Sequence, residues 1–206
     1  MLQPAEDATM IAAMIGPLRR VLNFLGLARL SWNSEYSSGR WSHITSKSPT
    51  TIELVQRYAR GGRIVEIGCG EGTLAACIDA SSYAGYLGVD ISDVAISRAN
   101  AKNMPKCEFA VADIRDWSPP AADVVVMEEV LYYLEPSQQE RLLSRSLGAV
   151  APSGAVVIVV FDFEEHAATL DRARSAGRLL EERRMERREY LVIGPSADAS
   201  SGAAGR

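Results

Sequence analysis

Cysteine is scarce in this chain and poorly spaced for chemistry. Only Cys69, Cys77 and Cys107 occur among 206 residues. No two form a C-x-x-C pair and the number is odd, so neither a zinc site nor a disulfide framework is expected. A reducing compartment, the cytoplasm, is the expected setting. Positive charge is also short. Lys and Arg number 22 against 26 Asp and Glu, which leaves a formal net charge of −4 and a pI near 5.3. A general nucleic-acid binder needs the opposite field to engage phosphates, so no nucleic-acid partner is expected. The N-terminal region has no uninterrupted apolar run. Its mildly apolar stretch, Met10–Leu30, is broken by Pro17, Arg19 and Arg20 and does not suit a bilayer. Glu6 and Asp7 stand where a signal peptide would carry positive charge. The stretch reads as an amphipathic helix packed on its own domain or on a partner, including a second copy of the chain. A membrane-surface anchor is the weaker alternative, since basic residues are few. No internal repeat is present.

What remains is an ordinary globular composition, 47% apolar and 23% charged, with length enough for one sizeable core. The expected organisation is an N-terminal helical cap over 1–48, a catalytic domain over 49–195, and a disordered tail over 196–206, rich in Gly, Ala and Ser.

Strand-like and helix-like segments alternate through the middle, which predicts an α/β fold with a parallel sheet. Thr50 with Glu53 predicts a capped helix bearing Leu54, Val55 and Tyr58 and ending near Gly61. Strands are predicted at 63–68, 86–91, 108–111, 123–127 and 155–161. The fourth is almost purely β-branched, as suits a strand buried on both faces. Ser92 caps the helix carrying Ala95, Ile96 and Ala99. Ser137 with Glu140 predicts the cap of a helix through Leu142, Leu143 and Leu147. The turn Pro152-Ser153-Gly154 introduces the fifth strand. A helix over 164–177 and two strands, 179–188 and 190–193, complete the pattern.

In open α/β sheets ligands bind beyond the carboxyl ends of the strands. After the first strand comes Glu66-Ile67-Gly68-Cys69-Gly70-Glu71-Gly72. Its glycines permit a tight turn and close approach of a ligand to the backbone. Glu66 would repel a pyrophosphate but suits the ammonium of an amino-acid ligand. The spacing is G-x-G-x-G, where a dinucleotide site has G-x-G-x-x-G. Asp90, 18 residues beyond Gly72, can accept hydrogen bonds from both hydroxyls of a ribose. Asp113 can meet an adenine amino group while Ile114 packs on the ring. Each feature alone has a structural reading, as a turn or a loop carboxylate. Their conjunction in order at strand ends is what points to a nucleoside-containing ligand.

These residues resemble class I S-adenosylmethionine-dependent methyltransferases. The likeness lies in Val65–Gly72, Gly88–Ile91, Ala112–Ile114 and Glu129–Leu134 and runs from about Thr50 to Phe161. The resemblance implies a Rossmann-like seven-stranded sheet of order 3-2-1-4-5-7-6 with strand 7 antiparallel and helices on both faces. It implies S-adenosyl-L-methionine as cofactor, with Gly68, Cys69 and Gly70 along its methionine portion, Asp90 on the ribose, and Ile91, Asp113 and Ile114 around the adenine. Glu66 and Glu129 belong to the same expected set. The segment Glu129-Val130-Leu131-Tyr132-Tyr133-Leu134 is similar to small-molecule members, including the rhizobial chito-oligosaccharide N-methyltransferases. Trp32–Trp41, with Tyr36 and Arg40, resembles an N-terminal lid whose aromatic residues cover the cofactor. Simple packing of that aromatic cluster on the N-terminal helix is the alternative.

Methyl transfer from a sulfonium is an in-line displacement with an activated leaving group, so positioning supplies much of the catalysis. A base matters only where the acceptor must lose a proton. Tyr132 and Tyr133 follow strand 4, where the methyl group is expected. Several relatives carry a base-competent His at the position of Tyr133, and a tyrosine with a reference pKa of about 10 is a poorer one. Tyr133 therefore orients the acceptor or packs as an ordinary aromatic. His166, after strand 5, and His43, after the lid, are the other proton-shuttle candidates, each with a solvated surface role as alternative. Seven arginines between Arg172 and Arg188, interleaved with acids, read as a solvated or cross-strand-paired face. Glu128 and Glu129 adjoin but lack convergent ligands, so no metal is expected. The expected activity is O- or N-methylation of a small molecule such as a sugar or secondary metabolite. An RNA or protein acceptor, or a nicotinamide-dependent oxidoreductase, are the alternatives.

Overall fold

The computed structural model describes residues 27–196. Most of Met10–Leu30 and the tail beyond Ser196 lie outside the described residues, and with them the expected amphipathic helix, its dimer contact and the disordered tail.

Helix α1 (Ala28–Ser37) precedes α2 (Pro49–Ala59), after which β1 (Arg63–Ile67) opens the sheet. There follow α3 (Thr73–Cys77), β2 (Gly85–Asp90), α4 (Asp93–Ala101), β3 (Cys107–Val111) and β4 (Ala122–Glu128). Helix α5 (Pro136–Ala149), β5 (Val150–Phe161), α6 (Ala167–Ala176), β6 (Arg178–Met185) and β7 (Arg188–Gly194) complete the chain. The seven strands order as β3-β2-β1-β4-β5-β7-β6. The five N-terminal strands pair in parallel, while β7 runs antiparallel to both β5 and β6. This is the fold and topology that the motif resemblance implies.

Alternating side chains divide between two apolar layers. Ile64, Val124 and Val126 enter the layer with Leu54 and Leu74. Val65, Val125 and Met127 enter the other with Leu142, Leu143 and Leu170. The β-branched run of β4 is thus buried on both faces at the centre of the sheet.

Two helix starts differ from expectation for one reason. Pro49 and Pro136 stand at the first position of α2 and α5, where a fixed φ and a missing N–H suit helix entry. The residue before each proline becomes the cap. The Ser48 side chain accepts the N–H of Thr50, and Glu135 with Gln138 forms a reciprocal capping box. Thr50–Glu53 and Ser137–Glu140 are therefore not the caps. The Pro152–Gly154 segment does not precede β5 but lies within it. Ala122 pairs with Val150 and Val124 with Ala155, so residues 151–154 bulge out of the ladder. Helix α6 begins at Ala167, three residues later than the sequence pattern suggests. Among the described residues no helix is long and apolar enough to cross a membrane.

The arginine-rich end is a lattice of ion pairs. Arg174 reaches Glu182 at 2.8 Å, Arg183 reaches Glu53 at 2.9 Å, and the fully buried Glu189 takes Arg174 and Arg184. Cross-strand and helix-to-strand pairing accounts for this segment.

Candidate active site

The carboxyl ends of β1 to β4 open into one cavity of about 470 Å³, roofed by α1 and the chain that follows it. The Gly-rich turn forms its floor. Backbone N–H groups of Gly68 and Cys69 donate to the Val89 carbonyl at 2.8 and 3.0 Å, which hooks the turn onto β2. Gly68 and Gly70 have φ of +76° and +53°, a region that side chains rarely adopt. A Cβ on Gly70 would also stand 2.7 Å from the Tyr36 hydroxyl, so this turn and the roof meet at Gly70.

Asp90 ends β2 in the cavity wall. It is buried, and its carboxylate accepts the N–H of Gly70 at 3.0 Å and of Ser92 at 2.9 Å. Burial pushes its pKa up, against the lowering effect of those backbone donors. A carboxylate offers about four acceptor positions, so these backbone donors leave capacity for a ligand. Ile91 and Ile114 line the cavity from neighbouring loops. Asp113 also lines the cavity and is gripped by Arg115, whose Nε donates at 2.9 and 3.0 Å. That pairing holds the Asp113 carboxyl below its ordinary range.

The roof is aromatic. Trp32, Tyr36 and Trp41 line the cavity, with ring centroids 6.2 to 6.5 Å apart. Trp32 meets Tyr133 edge-on at 5.1 Å. Helix α1 is fastened to α4 by three polar contacts: Arg29 to Asp93 at 3.0 Å, Ser92 to Asn33 at 2.8 Å, and Arg98 to the Tyr36 carbonyl at 3.0 Å. Trp41 Nε1 is buried with no hydrogen-bond partner among the described residues.

Other expected residues sit elsewhere. Glu66 is fully buried and does not line the cavity; it accepts a hydrogen bond from the Tyr86 hydroxyl. Burial raises its pKa to about 7, with Lys47 the chief opposing influence. Arg40 is an exposed residue paired with Glu35 at 3.4 Å, away from the cavity lining. Tyr132 and His166 stack on each other at 4.1 Å with near-parallel rings, outside the lining. Burial lowers the His166 pKa. His43 is exposed and also outside the lining. Tyr133 and Glu129 do line the cavity, and Arg188 holds Glu129 at 3.0 Å.

Sequence reasoning missed Lys47. Its ammonium lies 2.9 Å from the buried Glu128 carboxylate, to which the Thr51 hydroxyl also donates at 3.2 Å. Proximity to Glu128 and Glu66 raises the Lys47 pKa against the lowering effect of burial. Nothing in the linear pattern marks this lysine, which meets Glu128 only through the packing of α2 on the sheet. Among the described residues no group of three His, Cys, Asp or Glu side chains is placed to hold a metal ion.

The residues present fit S-adenosylmethionine. Asp90 has free acceptor positions, the turn at Gly68 and Gly70 leaves backbone exposed to a ligand, and an unpartnered indole N–H waits in the roof. The fold and the family it matches are those of class I S-adenosylmethionine-dependent methyltransferases. Residues 41–192 match the family described as "Methyltransferase domain", and the chain belongs to it. The trans-aconitate 2-methyltransferase of Methylobacterium radiotolerans is 33% identical over 100 residues, 48% of this chain and 37% of that protein. The chain spans 37% to 52% of the length of the first curated relatives it matches. Among solved structures, a TehB-like SAM-dependent methyltransferase from Corynebacterium glutamicum superposes with a TM-score of 0.65 at 20% identity, covering 79% of this chain and 98% of that one. The N-methyltransferase NodS from Bradyrhizobium japonicum gives 0.58 at 20% identity, covering 70% and 85%. These two likenesses are of fold.

Proposed function

We propose that this domain transfers a methyl group from S-adenosylmethionine to a small molecule. The carrying observation is the convergence, in one cavity, of the Gly68–Gly70 turn, Asp90 and Asp113 with Glu129, Val130 and Tyr133. In this reading Asp90 accepts the ribose hydroxyls, and Ile91 and Ile114 pack on the adenine. Asp113 takes the adenine amino group while keeping Arg115. Gly68, Cys69 and Gly70 follow the methionine portion. Glu66 acts from behind the turn, and Tyr36 and Trp41 close the roof. Arg40, through Glu35, supports that roof.

S-adenosylmethionine supplies an activated methyl group when bound. The protein's share is to position the acceptor and exclude water. Tyr133 is the residue placed to orient the acceptor. Tyr132 and His166 act as a stacked buttress behind it, a positioning role and not a catalytic one.

The arginine-rich end, already paired with acids, offers little to an RNA backbone, which favours a small-molecule acceptor. Membership in the methyltransferase family sets aside the oxidoreductase reading. The relatives' names make trans-aconitate one acceptor to try. A cytoplasmic setting goes with the three free cysteines.

Calorimetric titration with S-adenosylmethionine and S-adenosylhomocysteine tests the reading. Saturable one-site binding is expected. Absence of heat at millimolar cofactor with a folded protein overturns it.

A further inference from the structure

Helix α4 holds the roof and the floor of the cavity with the same side chains. Ser92, its N-cap, is buried; its N–H donates to the Asp90 carboxylate at 2.9 Å and its hydroxyl donates to Asn33 of α1 at 2.8 Å. Arg98, toward the other end of α4, makes the second bridge. Its Nη1 donates to the Glu71 carboxylate in the Gly-rich turn at 2.7 Å and to the Tyr36 carbonyl of α1 at 3.0 Å. Lys102 at the end of α4 also donates to the Glu71 carbonyl at 2.7 Å, so the turn is tied to this helix twice.

Tyr36 is thereby held at both ends. Its carbonyl lies in the last turn of α1, where exposed carbonyls favour a cation such as Arg98. Its hydroxyl stands over Gly70. A ligand seated on the turn beneath Trp32, Tyr36 and Trp41 leaves when α1 lifts away from the turn. The connection from α1 to α2, residues 38–48, has neither helix nor strand, and Gly39 in it has a φ of +73°. Lifting α1 about this connection breaks the bond from Arg98 to Tyr36. The Arg98 side chain is 41% exposed and does not line the cavity, so its pair with Glu71 adds little to global stability.

We propose that Arg98 is a positioning residue for cofactor retention, a latch that joins the roof helix α1 to the Gly-rich turn and releases when S-adenosylmethionine and S-adenosylhomocysteine exchange. The proposal rests on the methyl-transfer reading above. Arg98 acts through Tyr36 and touches no ligand. Both of its bonds come from one nitrogen, so the role needs a single cationic donor of sufficient reach and not the planar fork of a guanidinium. The bond from Ser92 to Asn33 is the second tether of the same roof.

Rapid mixing of the full chain with S-adenosylhomocysteine tests this, read by emission from Trp32 and Trp41, which line the cavity. The slope of the observed rate against concentration gives association, and the intercept gives dissociation. Arg98→Ala is expected to raise the dissociation rate about fivefold, the effect of losing one hydrogen bond, without slowing association. The melting temperature of its cofactor-free form is expected to stay within about 2 °C of the parent. Arg98→Lys is expected to recover most of the slow dissociation. Asn33→Ala, which spares the N-cap, is expected to act in the same direction as Arg98→Ala. An unchanged intercept in Arg98→Ala, no recovery in Arg98→Lys, or a much larger drop in melting temperature overturns the latch while leaving methyl transfer standing. Failure of the parent protein to bind S-adenosylhomocysteine overturns both.

Discussion

The carboxylate of Asp90 accepts the backbone N–H of Gly70 at 3.0 Å and so ties the end of β2 to the turn after β1. One side chain thus shapes the floor of the cavity and, in the proposed function, accepts the ribose hydroxyls. Asp90→Ala is expected to weaken S-adenosylmethionine binding by roughly 1.5–3 kcal/mol, the scale of hydrogen bonds to a charged group. Calorimetry reads the affinity and circular dichroism checks the fold. A folded variant that binds as tightly as the parent sinks the ribose assignment. Asp113→Ala is expected to cost less, because that carboxylate already divides its acceptors with Arg115.

Gly70 is doubly constrained, by a φ of +53° and by the Tyr36 hydroxyl, which lies 2.7 Å from where a Cβ would stand. Gly70→Val is expected to abolish cofactor binding and to lower thermal stability, through backbone strain of about 1–3 kcal/mol. Unchanged melting and binding would show that the turn and roof yield more readily than the close contact allows.

Lys47 neutralises Glu128 inside the cavity wall. Lys47→Met leaves a buried carboxylate unpaired, which typically costs about 3–5 kcal/mol. A urea titration is expected to show a loss at the lower end of that range, since the lysine side chain keeps 19% exposure. The double variant Lys47→Met, Glu128→Gln is expected to recover a large part of it. No recovery would mean that Lys47 matters through its packing and not through its charge.

Glu66 carries the pH dependence. Its pKa is raised from 4.5 to about 7 by burial. A carboxyl with a raised folded pKa contributes stability that is fully present below the unfolded value and lost as pH climbs through the folded value. The window is therefore from about pH 4.5 to about pH 7. A tenfold change in proton affinity is worth about 1.4 kcal/mol, so the loss is on the order of 3 kcal/mol. Melting of the cofactor-free protein is expected to fall across that window relative to Glu66→Gln, whose profile is flatter. Parallel profiles for the two proteins would place the Glu66 pKa at its ordinary value.

Tyr133→Phe tests the division between cofactor and acceptor. The ring keeps its edge-on contact with Trp32 at 5.1 Å, while the hydroxyl is lost. Cofactor affinity is expected to stay within about twofold of the parent, with the change confined to turnover. A large loss of S-adenosylhomocysteine binding would move Tyr133 into the cofactor site.

Local signals determined most of the architecture. Alternation of β-branched strands with helical patterns, the Gly-rich turn, and acids at the ends of β2 and β3 are short-range features, and strand order followed from the family resemblance they carry. At Pro49 and Pro136 the cap falls two residues earlier than the Ser/Thr pattern suggests, at Ser48 and Glu135, a competition between two local rules that the sequence presents side by side. Packing alone decided the rest. Glu66 looked like a ligand-facing acid, but β1 is central in the sheet and the pleat turns its side chain into the core against Tyr86. His166 lies at the expected sheet edge, yet its ring stacks on Tyr132 outside the cavity. Lys47 and Glu128, 81 positions apart, meet only because α2 packs across β4. Charge pairing of this kind depends on distance in space, and residue type and spacing along the chain carry no record of it.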